Sequence, residues 1–403
     1  MGKIAKKSKV TGRTPASAIR EEALEYAFQY KKSASTFHFK NLIIKNFRCL
    51  ENISIDSLER VNLITGINNA GKTTLLEAIF LLVGLNNADL ASRIERWRGL
   101  PIPTELSKNA WASLFTKFED SATISISGKN LKGSARTLAI SVTTLPSSIV
   151  EEKSIRQGTE SIGISGQGIA FEYSDEKSTK HKVVGIPLLM RRGDIISFSL
   201  QLEPRPLPSP MPGVFITAQH KGFIEEDLTR FSNLRIRQKD QYLIEALKTL
   251  EPRLEKLEIL AWQGTNMIHG HMRGYVRPVP YPLLGDGVRR VLSILLAIGM
   301  AQENGNMVLV DEIENGIHHS TMKSIWKAIA EAAELFSTQV YTTTHSHECI
   351  VAAHEVFKQR KHYDFRLHRL DRINGKIKAI TYDESSLEGA LSIPLEVRGW
   401  PIE

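Results

Sequence analysis

The sequence predicts an α/β fold, and three stretches carry the prediction. An apolar run at 61–64 leads into a glycine-rich turn at 66–74, and residues 75–82 follow with helical character. A second apolar run, at 307–310, ends in two carboxylates, and a third, at 339–344, ends at a histidine. Short apolar runs that stop abruptly at polar residues indicate buried strands, and the first is joined to a helix by a tight turn.

The glycine-rich turn fits the P-loop pattern G-x-x-x-x-G-K-[ST]. Its glycines let backbone N–H groups turn toward phosphate oxygens, its lysine reaches the β/γ-phosphates, and its threonine hydroxyl binds Mg²⁺. The helix that follows adds the positive end of its dipole. The alternative is a plain turn between strand and helix. We therefore expect ATP and Mg²⁺ as cofactors, bound by Gly66, Asn68, Asn69, Ala70, Gly71, Lys72, Thr73 and Thr74, with Thr73 as a metal ligand.

Length and composition are those of a globular intracellular protein. The chain has 403 residues, of which 42% are hydrophobic and 24% charged, enough for one large domain or two smaller ones. Cys49 and Cys349 lack metal or redox spacing, which favours a reduced cytoplasmic setting. The longest apolar run, 291–301, is too short to span a bilayer, so we expect no membrane contact.

The net charge of +8 is concentrated at the N-terminus. Residues 1–36 hold eight Lys or Arg against three Glu, a net charge of +5, and a helix is predicted to start at Thr14-Pro15. Such an arm contacts nucleic acid or a partner protein, or is simply solvated. We expect residues 1–36 to be a basic arm and helix, and residues 37–403 to form the main domain.

Alternating residues predict a β-rich region in the middle of the chain. The pattern of a half-exposed strand occurs at 121–127 and again at 137–143, and further strand candidates follow at 169–173 and 183–189. Five prolines between 204 and 212 then predict a stiff connector. We therefore expect an inserted β-rich lobe at about 117–203, followed by a strand at 214–216 and a helix at 240–250.

His269 and His271 form a two-histidine pattern that a metal ion could use. With no cysteine or carboxylate expected nearby, we instead expect them in a loop between strands at 258–262 and 273–276.

The run Lys45-Asn46-Phe47-Arg48, upstream of the P-loop, is similar to the opening of a known family. It resembles the strand and "NFR" turn of ABC-type ATPases of the RecF, SMC/Rad50 and OLD group. The resemblance covers about residues 38–350 and implies an ABC-type P-loop ATPase fold. Because no heptad pattern is sustained, the long coiled-coil arms of SMC or Rad50 are not expected.

Residues 284–290, L-G-D-G-V-R-R, precede an apolar helix and resemble the ABC signature loop in its OLD-like "GDG" variant. In that family the signature of one subunit closes over the γ-phosphate held by the P-loop of another. The resemblance therefore implies an ATP-sandwiched dimer or higher homo-oligomer, with Gly285, Asp286 and Gly287 as nucleotide contacts. Gly285 stands where the family has serine, so backbone N–H groups would make the contact.

Residues 307–312, M-V-L-V-D-E, form the Walker B pattern. The strand predicts Asp311 beside the P-loop as a Mg²⁺ ligand, usually through water, and Glu312 as the residue that orients or deprotonates the attacking water. The alternative, two acids in a surface turn, fits poorly with the four apolar residues before them. Residues 314–318 follow as the D-loop, and His318 stands where the family often has Asp.

The run 339–344 ends at H-S-H-E, which also offers metal ligands. The resemblance favours His345 as the switch histidine that senses the γ-phosphate, with His347 and Glu348 starting the next helix. Glu312 and His345 are thus the candidate catalytic residues. The Q-loop glutamine is not identified, and Gln157, Gln167 and Gln201 stay open as candidates.

The 58 residues after His345 leave no room for the TOPRIM domain of OLD nucleases, which has its own acidic metal cluster. The chain resembles stand-alone OLD-like ATPases of anti-phage systems such as PARIS or Septu. This implies an ATP-driven switch that controls a separate effector of the TOPRIM or HNH nuclease class, with no nuclease activity of its own. The alternative is a RecF-like repair ATPase that binds DNA. A transporter ATPase fits least, because of the "NFR" opening and the GDG signature.

Overall fold

The computed structural model describes residues 38–100, 109, 111–144, 167–174, 180–189, 195–203, 213–218, 224–300 and 306–392. The basic arm at 1–36 and the proline connector at 204–212 lie outside these residues, so predictions about them stay predictions.

The chain contains sixteen strands and eight α-helices within the described residues. The strands are β1 (Phe39–Phe47), β2 (Leu50–Ile55), β3 (Val61–Gly66), β4 (Ile124–Asn130), β5 (Ala135–Thr144), β6 (Gln167–Ser174), β7 (Lys180–Leu189), β8 (Ile195–Glu203), β9 (Gly213–Ile216), β10 (Leu254–Trp262), β11 (Thr265–Met272), β12 (Val279–Pro280), β13 (Asn306–Val310), β14 (Thr338–Thr343), β15 (Phe365–Ile373) and β16 (Lys376–Tyr382). The helices are α1 (Lys72–Val83), α2 (Asp89–Trp97), α3 (Ile224–Ile236), α4 (Gln241–Lys248), α5 (Asp286–Ile298), α6 (Met322–Leu335), α7 (His347–Lys358) and α8 (Glu384–Ser392).

The central sheet has six strands in the order β16-β15-β3-β14-β13-β9. All neighbours pair in parallel except the edge strand β16, which is antiparallel to β15. The strands β3, β13 and β14 are buried along their whole length, including polar residues such as Asn62 and Gln339. Because they are parallel, the loops after them meet at one edge of the sheet.

A second sheet has seven antiparallel strands in the order β2-β1-β4-β5-β6-β7-β8. The region expected as an inserted lobe supplies β4 to β8, and these strands extend the sheet that β1 and β2 begin. The alternating residues of β4, with isoleucines buried and serines outward, show why this pattern was readable in the sequence.

Two hydrophobic cores lie against the central sheet, one for each face. On β13, Met307 and Leu309 belong to the core shared with α1 and the antiparallel sheet. Val308 and Val310 belong to the core shared with α3 to α7. Successive strand residues point to opposite faces, so one strand contributes to both cores. The predicted α/β fold class is therefore confirmed, as a layered arrangement around a mostly parallel sheet.

The third sheet, β10-β11-β12, corrects one prediction. His269 and His271 lie on β11 and not in a loop, because β10 pairs directly with β11 through a two-residue turn at Gln263-Gly264. A carboxylate is also near, contrary to expectation, since Glu258 Oε2 lies 2.9 Å from His271 Nε2. The predicted strand at 214–216 and helix at 240–250 correspond to β9 and α4.

Candidate nucleotide-binding site

The P-loop connects β3 to α1 at the carboxyl edge of the central sheet. Gly71 is the N-cap of α1 with φ 89°, and Gly66 has φ 143°, a backbone conformation that glycine adopts readily and other residues rarely. A Cβ added at Gly66 would lie only 2.4 Å from the carbonyl oxygen of Leu370 on β15. The motif glycines are thus required both by the turn itself and by the strand packed against it.

Lys72 is the first residue of α1 and is largely buried. Its Nζ donates hydrogen bonds to the carbonyl oxygens of Gly66 and Ile67, at 2.8 and 2.9 Å, so the side chain folds back along the loop. Burial lowers the pKa of Lys72 to about 8, although Asp311 and Glu312 act in the opposite direction. A cation whose solvation is already reduced gains more from an anionic ligand than an exposed one does.

The carboxylate of Asp311 accepts hydrogen bonds from two threonines. Thr73 Oγ1 lies 2.9 Å from Oδ2 and 3.1 Å from Oδ1, and Thr343 Oγ1 lies 2.6 Å from Oδ1. The contact from β13 to the P-loop helix is possible because β14, which carries Thr343, lies between β3 and β13. A hydroxyl and a carboxylate within contact distance are oxygen donors of the kind that Mg²⁺ prefers, so these residues fit the predicted metal.

Glu312 follows Asp311 in a left-handed backbone conformation, with φ 51°. Its N–H donates to Thr343 Oγ1 at 2.7 Å, and its half-exposed carboxylate points to His345, whose Nε2 lies 3.8 Å from Glu312 Oε1. The N–H of His345 in turn donates to Glu314 Oε1 at 2.7 Å. The segment after β13 and the segment after β14 are therefore tied together at the same edge of the sheet.

Arg290 is a member of this site that sequence reasoning missed. It is buried on α5, and its guanidinium donates to the carbonyl oxygens of Asp311, Glu312 and Thr217. Burial lowers its pKa, which the carboxylate of Asp311 partly opposes. Only a long side chain with several fixed donors can hold three carbonyls at once. The arginine was visible in the sequence, but its targets come from segments far from it in the chain.

The signature residues 284–287 span the start of α5, which begins at Asp286 and not after residue 290, and they lie against the D-loop of their own chain. A Cβ added at Gly287 would be 3.0 Å from the carbonyl oxygen of Gly316. The carboxylate of Asp286 accepts a hydrogen bond from Arg289 and is otherwise exposed. The contact of Gly285, Asp286 and Gly287 with a nucleotide stays a prediction.

A cluster of buried charged residues also contacts α1, the helix that follows the P-loop. Glu77 on α1 is almost fully buried and contacts both Arg48, at 3.1 Å, and Arg98, at 2.7 Å. Burial raises the pKa of Glu77, and the two arginines oppose the shift. Arg48 also contacts Glu95, and Arg98 donates to Thr74 Oγ1 at 3.2 Å. Arg48 is the last residue of the "NFR" turn, so that turn has a structural partner in the P-loop helix.

The structure thus brings together Lys72, Thr73, Asp311, Glu312 and His345, which the sequence analysis had selected from three separate segments. It does not group His345 with His347 and Glu348 as metal ligands: across the described residues, no set of three or more His, Cys, Asp or Glu is placed to hold a metal ion.

Thr217 and Ala218, just after β9, also reach this edge, and Asn315 donates to the carbonyl oxygen of Ala218 at 2.7 Å. Gln167 begins β6 and Gln201 lies on β8, both in the antiparallel sheet. Gln157 lies outside the described residues, as does Gln219, which follows Ala218 in the sequence and was not among the predicted Q-loop candidates. The glutamine therefore stays unassigned.

No helix in the described ranges has the length and apolar character needed to cross a lipid bilayer.

Comparison with known proteins agrees with this site. The chain is 25% identical over 348 residues to an ATP/GTP phosphatase of Helicobacter pylori, an alignment that covers 79% of this chain and 88% of that protein. A stretch of 43 residues is 51% identical to the DNA replication and repair protein RecF of Clostridium acetobutylicum, covering 11% and 12% of the two chains.

Two solved structures are similar in part. An SMC head bound to the C-winged helix domain of ScpA has a TM-score of 0.48 and 11% identity, over 88% of this chain and 99% of that one. The SMC head domain from Thermotoga maritima has a TM-score of 0.39 and 12% identity, over 86% and 99%.

A protein-family match covers more than half of the chain. Residues 61–350 match the model described as "AAA domain, putative AbiEii toxin, Type IV TA system", a range that begins with β3 and ends just past His345. The prediction of a P-loop ATPase is thereby confirmed at the level of the family, whereas the OLD-like assignment is not. Because the match covers most of the chain, this protein belongs to that family of AAA-domain ATPases.

Proposed function

We propose that this protein is a Mg²⁺-dependent ATPase that works as a homodimer or higher homo-oligomer, with each nucleotide held between two chains. The observation that carries the proposal is the junction of Thr73, Asp311 and Glu312 at one edge of the parallel sheet. That junction brings a hydroxyl, a buried carboxylate and a half-exposed carboxylate next to the P-loop, and these groups suit the binding of Mg²⁺ and the transfer of a phosphoryl group to water.

Each residue has a distinct task in the proposed reaction. The P-loop N–H groups and Lys72 bind the β/γ-phosphates, while Thr73 and Asp311 hold Mg²⁺. The bound metal neutralises phosphate charge. Glu312 accepts a proton from the attacking water or orients it, because its carboxylate is accessible and is not engaged by an arginine or lysine in the contacts described. In this proposal His345, whose Nε2 lies 3.8 Å from Glu312 Oε1, donates to the γ-phosphate.

The signature loop supports the dimer. Residues 285–287 lie at the N-terminus of α5, a position that suits anion binding, and they are exposed or half-exposed. We assign their contact to the nucleotide of a second chain.

For the biological role, we propose a switch or sensor subunit of an anti-phage system that controls a separate effector of the TOPRIM or HNH nuclease class. The description of the matched family, which names a toxin of a type IV TA system, supports a role within a multi-component system. Since Asp311 and Glu312 already belong to the ATP site, we propose no nuclease activity for this chain alone.

The second candidate is a RecF-like ATPase that binds DNA. The 43-residue match to RecF and the +5 charge of residues 1–36 favour it. A strong decrease of duplex affinity with salt is expected for such binding.

The test combines hydrolysis and cleavage assays on the pure chain. Incubation with ATP or GTP, with Mg²⁺ or with EDTA, should release phosphate only when Mg²⁺ is present, and plasmid DNA in the same tube should stay intact. Phosphate release in EDTA would refute the metal assignment. Plasmid nicking that persists in a Glu312→Gln variant would reveal an active site elsewhere. Salt-sensitive duplex binding that is lost on deleting residues 1–36 would favour the RecF-like candidate.

A further inference from the structure

A buried carboxylate on α3, Asp227, belongs to no part of the site described above. Its side chain is fully buried, and Oδ1 accepts a hydrogen bond from Arg230 Nη1 at 2.9 Å. A buried charge is tolerated when it is paired and hydrogen-bonded. Arg230, itself buried and also bonded to Glu226, supplies that pairing and leaves the second oxygen of Asp227 for other partners.

The second oxygen, Oδ2, accepts hydrogen bonds from two hydroxyl groups, one from the element before the signature loop and one from the element after it. Oδ2 of Asp227 accepts from Tyr281 Oη at 2.7 Å and from Ser293 Oγ at 2.5 Å. Tyr281 starts the short 3₁₀ turn Tyr281–Leu283 that enters the loop, and Ser293 lies on α5, which leaves it. Burial, with Asp227 beside it, raises the pKa of Tyr281 far above its ordinary value, so the hydroxyl stays a donor.

The tip of the loop between these anchors is open at Gly285 and Asp286, whereas Leu284 is buried and Gly287 lies against Gly316. Tyr281 and Ser293 are each only 1% exposed. In contrast, an added Cβ at Gly285 would have no atom within 4 Å, and the side chain of Asp286 is 80% exposed. An open tip depends on the segments before and after it for its position, and here a residue of each segment is bonded to one carboxylate.

We infer that Asp227 is a positioning residue for the signature loop, acting on hydrolysis of the nucleotide bound by the second chain and not on binding at its own P-loop. This inference rests on the proposed ATP-sandwiched dimer. Asp227 touches neither the P-loop nor the Walker B residues in the contacts above, so its effect must pass through Tyr281 and Ser293.

The first test separates binding from turnover. Asp227→Asn keeps the shape of the side chain but removes the charge that pairs with Arg230. It also puts an amide N–H₂ either against the guanidinium or against the two hydroxyls, which can then no longer both donate to this position. We expect its Kd for ATP to stay within about twofold of the parental value and its kcat to fall at least about tenfold. This is less than the roughly 10²- to 10³-fold typical for loss of a donor that itself contacts the reacting group, because Asp227 acts through other residues. Thr229→Ala, on the same helix but bonded only to Glu225 within that helix, is the matched control and should change neither quantity.

The second test asks in which chain Asp227 acts. Asp227→Asn chains have an intact P-loop, and Lys72→Ala chains have an intact signature loop. Mixed in equal amounts, they form dimers with one complete site, so activity should return to about a quarter of the parental rate for random pairing and independent sites. A mutation that merely destabilised its own chain would not be rescued in this way.

A control pair distinguishes failure of this inference from failure of the sandwich itself. Gly285→Arg adds bulk where this chain leaves open space, so it should fold normally and block only the partner's nucleotide. If Gly285→Arg with Lys72→Ala shows no rescue, the sandwich is wrong. If that pair is rescued and Asp227→Asn with Lys72→Ala is not, the role of Asp227 is wrong.

A parental kcat in Asp227→Asn would also overturn the inference. Should that variant fail to fold, Tyr281→Phe decides the question, because it keeps the ring and removes only the hydroxyl. The inference then requires a lowered kcat with unchanged ATP affinity and rescue by Lys72→Ala.

Discussion

Thr73 at the P-loop donates its hydroxyl to both carboxylate oxygens of Asp311, although 238 residues separate the two in the chain. The contact exists because β3 and β13 flank the same strand, β14, so that the loops after them open at a common edge. It joins the P-loop, proposed to bind phosphate, to the carboxylate proposed to bind Mg²⁺.

Lys72→Ala should abolish nucleotide binding. It removes the P-loop ammonium group, which is poorly solvated and has a lowered pKa. We expect the rate of ATP hydrolysis to fall by at least about a hundredfold, as for loss of an oriented charge in an active site, with ATP affinity falling in parallel. Titration of a fluorescent ATP analogue measures the affinity. Lys45→Ala, an exposed lysine on β1, is the control, and parental turnover in Lys72→Ala would exclude residues 66–74 as the site.

Glu312→Gln should separate binding from chemistry. The amide keeps the shape of the side chain but cannot accept the proton from water, so ATP should bind with parental affinity while hydrolysis slows by about 10²- to 10⁴-fold. Single-turnover assays with radiolabelled ATP measure the chemical step directly. The matched control is Glu331→Gln, an exposed residue on α6. An unaltered single-turnover rate would move the role of base to another residue, with His345 the next candidate.

Thr343→Val should disturb Asp311, the proposed Mg²⁺ ligand, by removing a hydroxyl that donates to its carboxylate. The hydroxyl lost in this variant is bonded to Asp311 Oδ1 and to the N–H of Glu312. The N–H of Glu312 then loses this partner, at a cost of about 1–3 kcal/mol for an unsatisfied buried group, and Asp311 Oδ1 keeps the longer bond from Thr73. We expect a higher Mg²⁺ concentration for half-maximal activity, with Thr343→Ser restoring the parental value. If the valine and serine variants behave alike, the hydroxyl is not what supports Asp311.

Arg48→Ala should weaken the fold around the P-loop helix. It removes one cation from the buried cluster of Glu77, Glu95 and Arg98, and breaking a buried ion pair on one side typically costs about 3–5 kcal/mol. Urea unfolding measures this loss. Lys117→Ala breaks an exposed ion pair with Glu51 and should leave the unfolding midpoint unchanged. Equal midpoints for the two variants would mean that the cluster does not stabilise the fold.

Acid should destabilise the central sheet through His368. This residue is fully buried on β15, where its ring contacts Thr381 and Asn62, and burial lowers its pKa from 6.5 to about 3. Between these pH values the unfolded chain binds a proton that the folded chain does not. Stability from this source is therefore complete above pH 6.5 and falls as the pH decreases, by about 1.4 kcal/mol per pH unit for one histidine.

The measurement for His368 is the free energy of unfolding between pH 7.5 and 4.5. Below pH 6.5, His368→Asn should reduce the slope of the unfolding free energy against pH by the equivalent of about one proton. His362→Gln, at an exposed position, should leave that slope unchanged. An unchanged slope in His368→Asn would assign the acid sensitivity to other groups, among them the half-buried His38, whose pKa desolvation also lowers, to about 4.

What the sequence could predict was local. The strand, loop and helix around Lys72 are contiguous in sequence, and the apolar run before Asp311 predicts a buried strand. The fold class and the candidate residues Lys72 and Asp311 could therefore be predicted from local patterns. The supporting partners were not, because Arg290 and Thr343 act on groups brought near by the sheet. The misplacement of His269 has a similar cause. Its strand alternates poorly in polarity, and pairing with β10 fixes its structure.

The claim that each nucleotide is held between two chains is tested most directly by the molar mass of Glu312→Gln in solution. One chain weighs 45.2 kDa. With ADP or without nucleotide, light scattering should give the mass of one chain. With Mg²⁺-ATP it should give twice that mass, or that of a higher assembly with an even number of chains. Adding Gly285→Arg to the same chain should prevent this increase. An identical mass in all three conditions, with ATP demonstrably bound, would contradict the account.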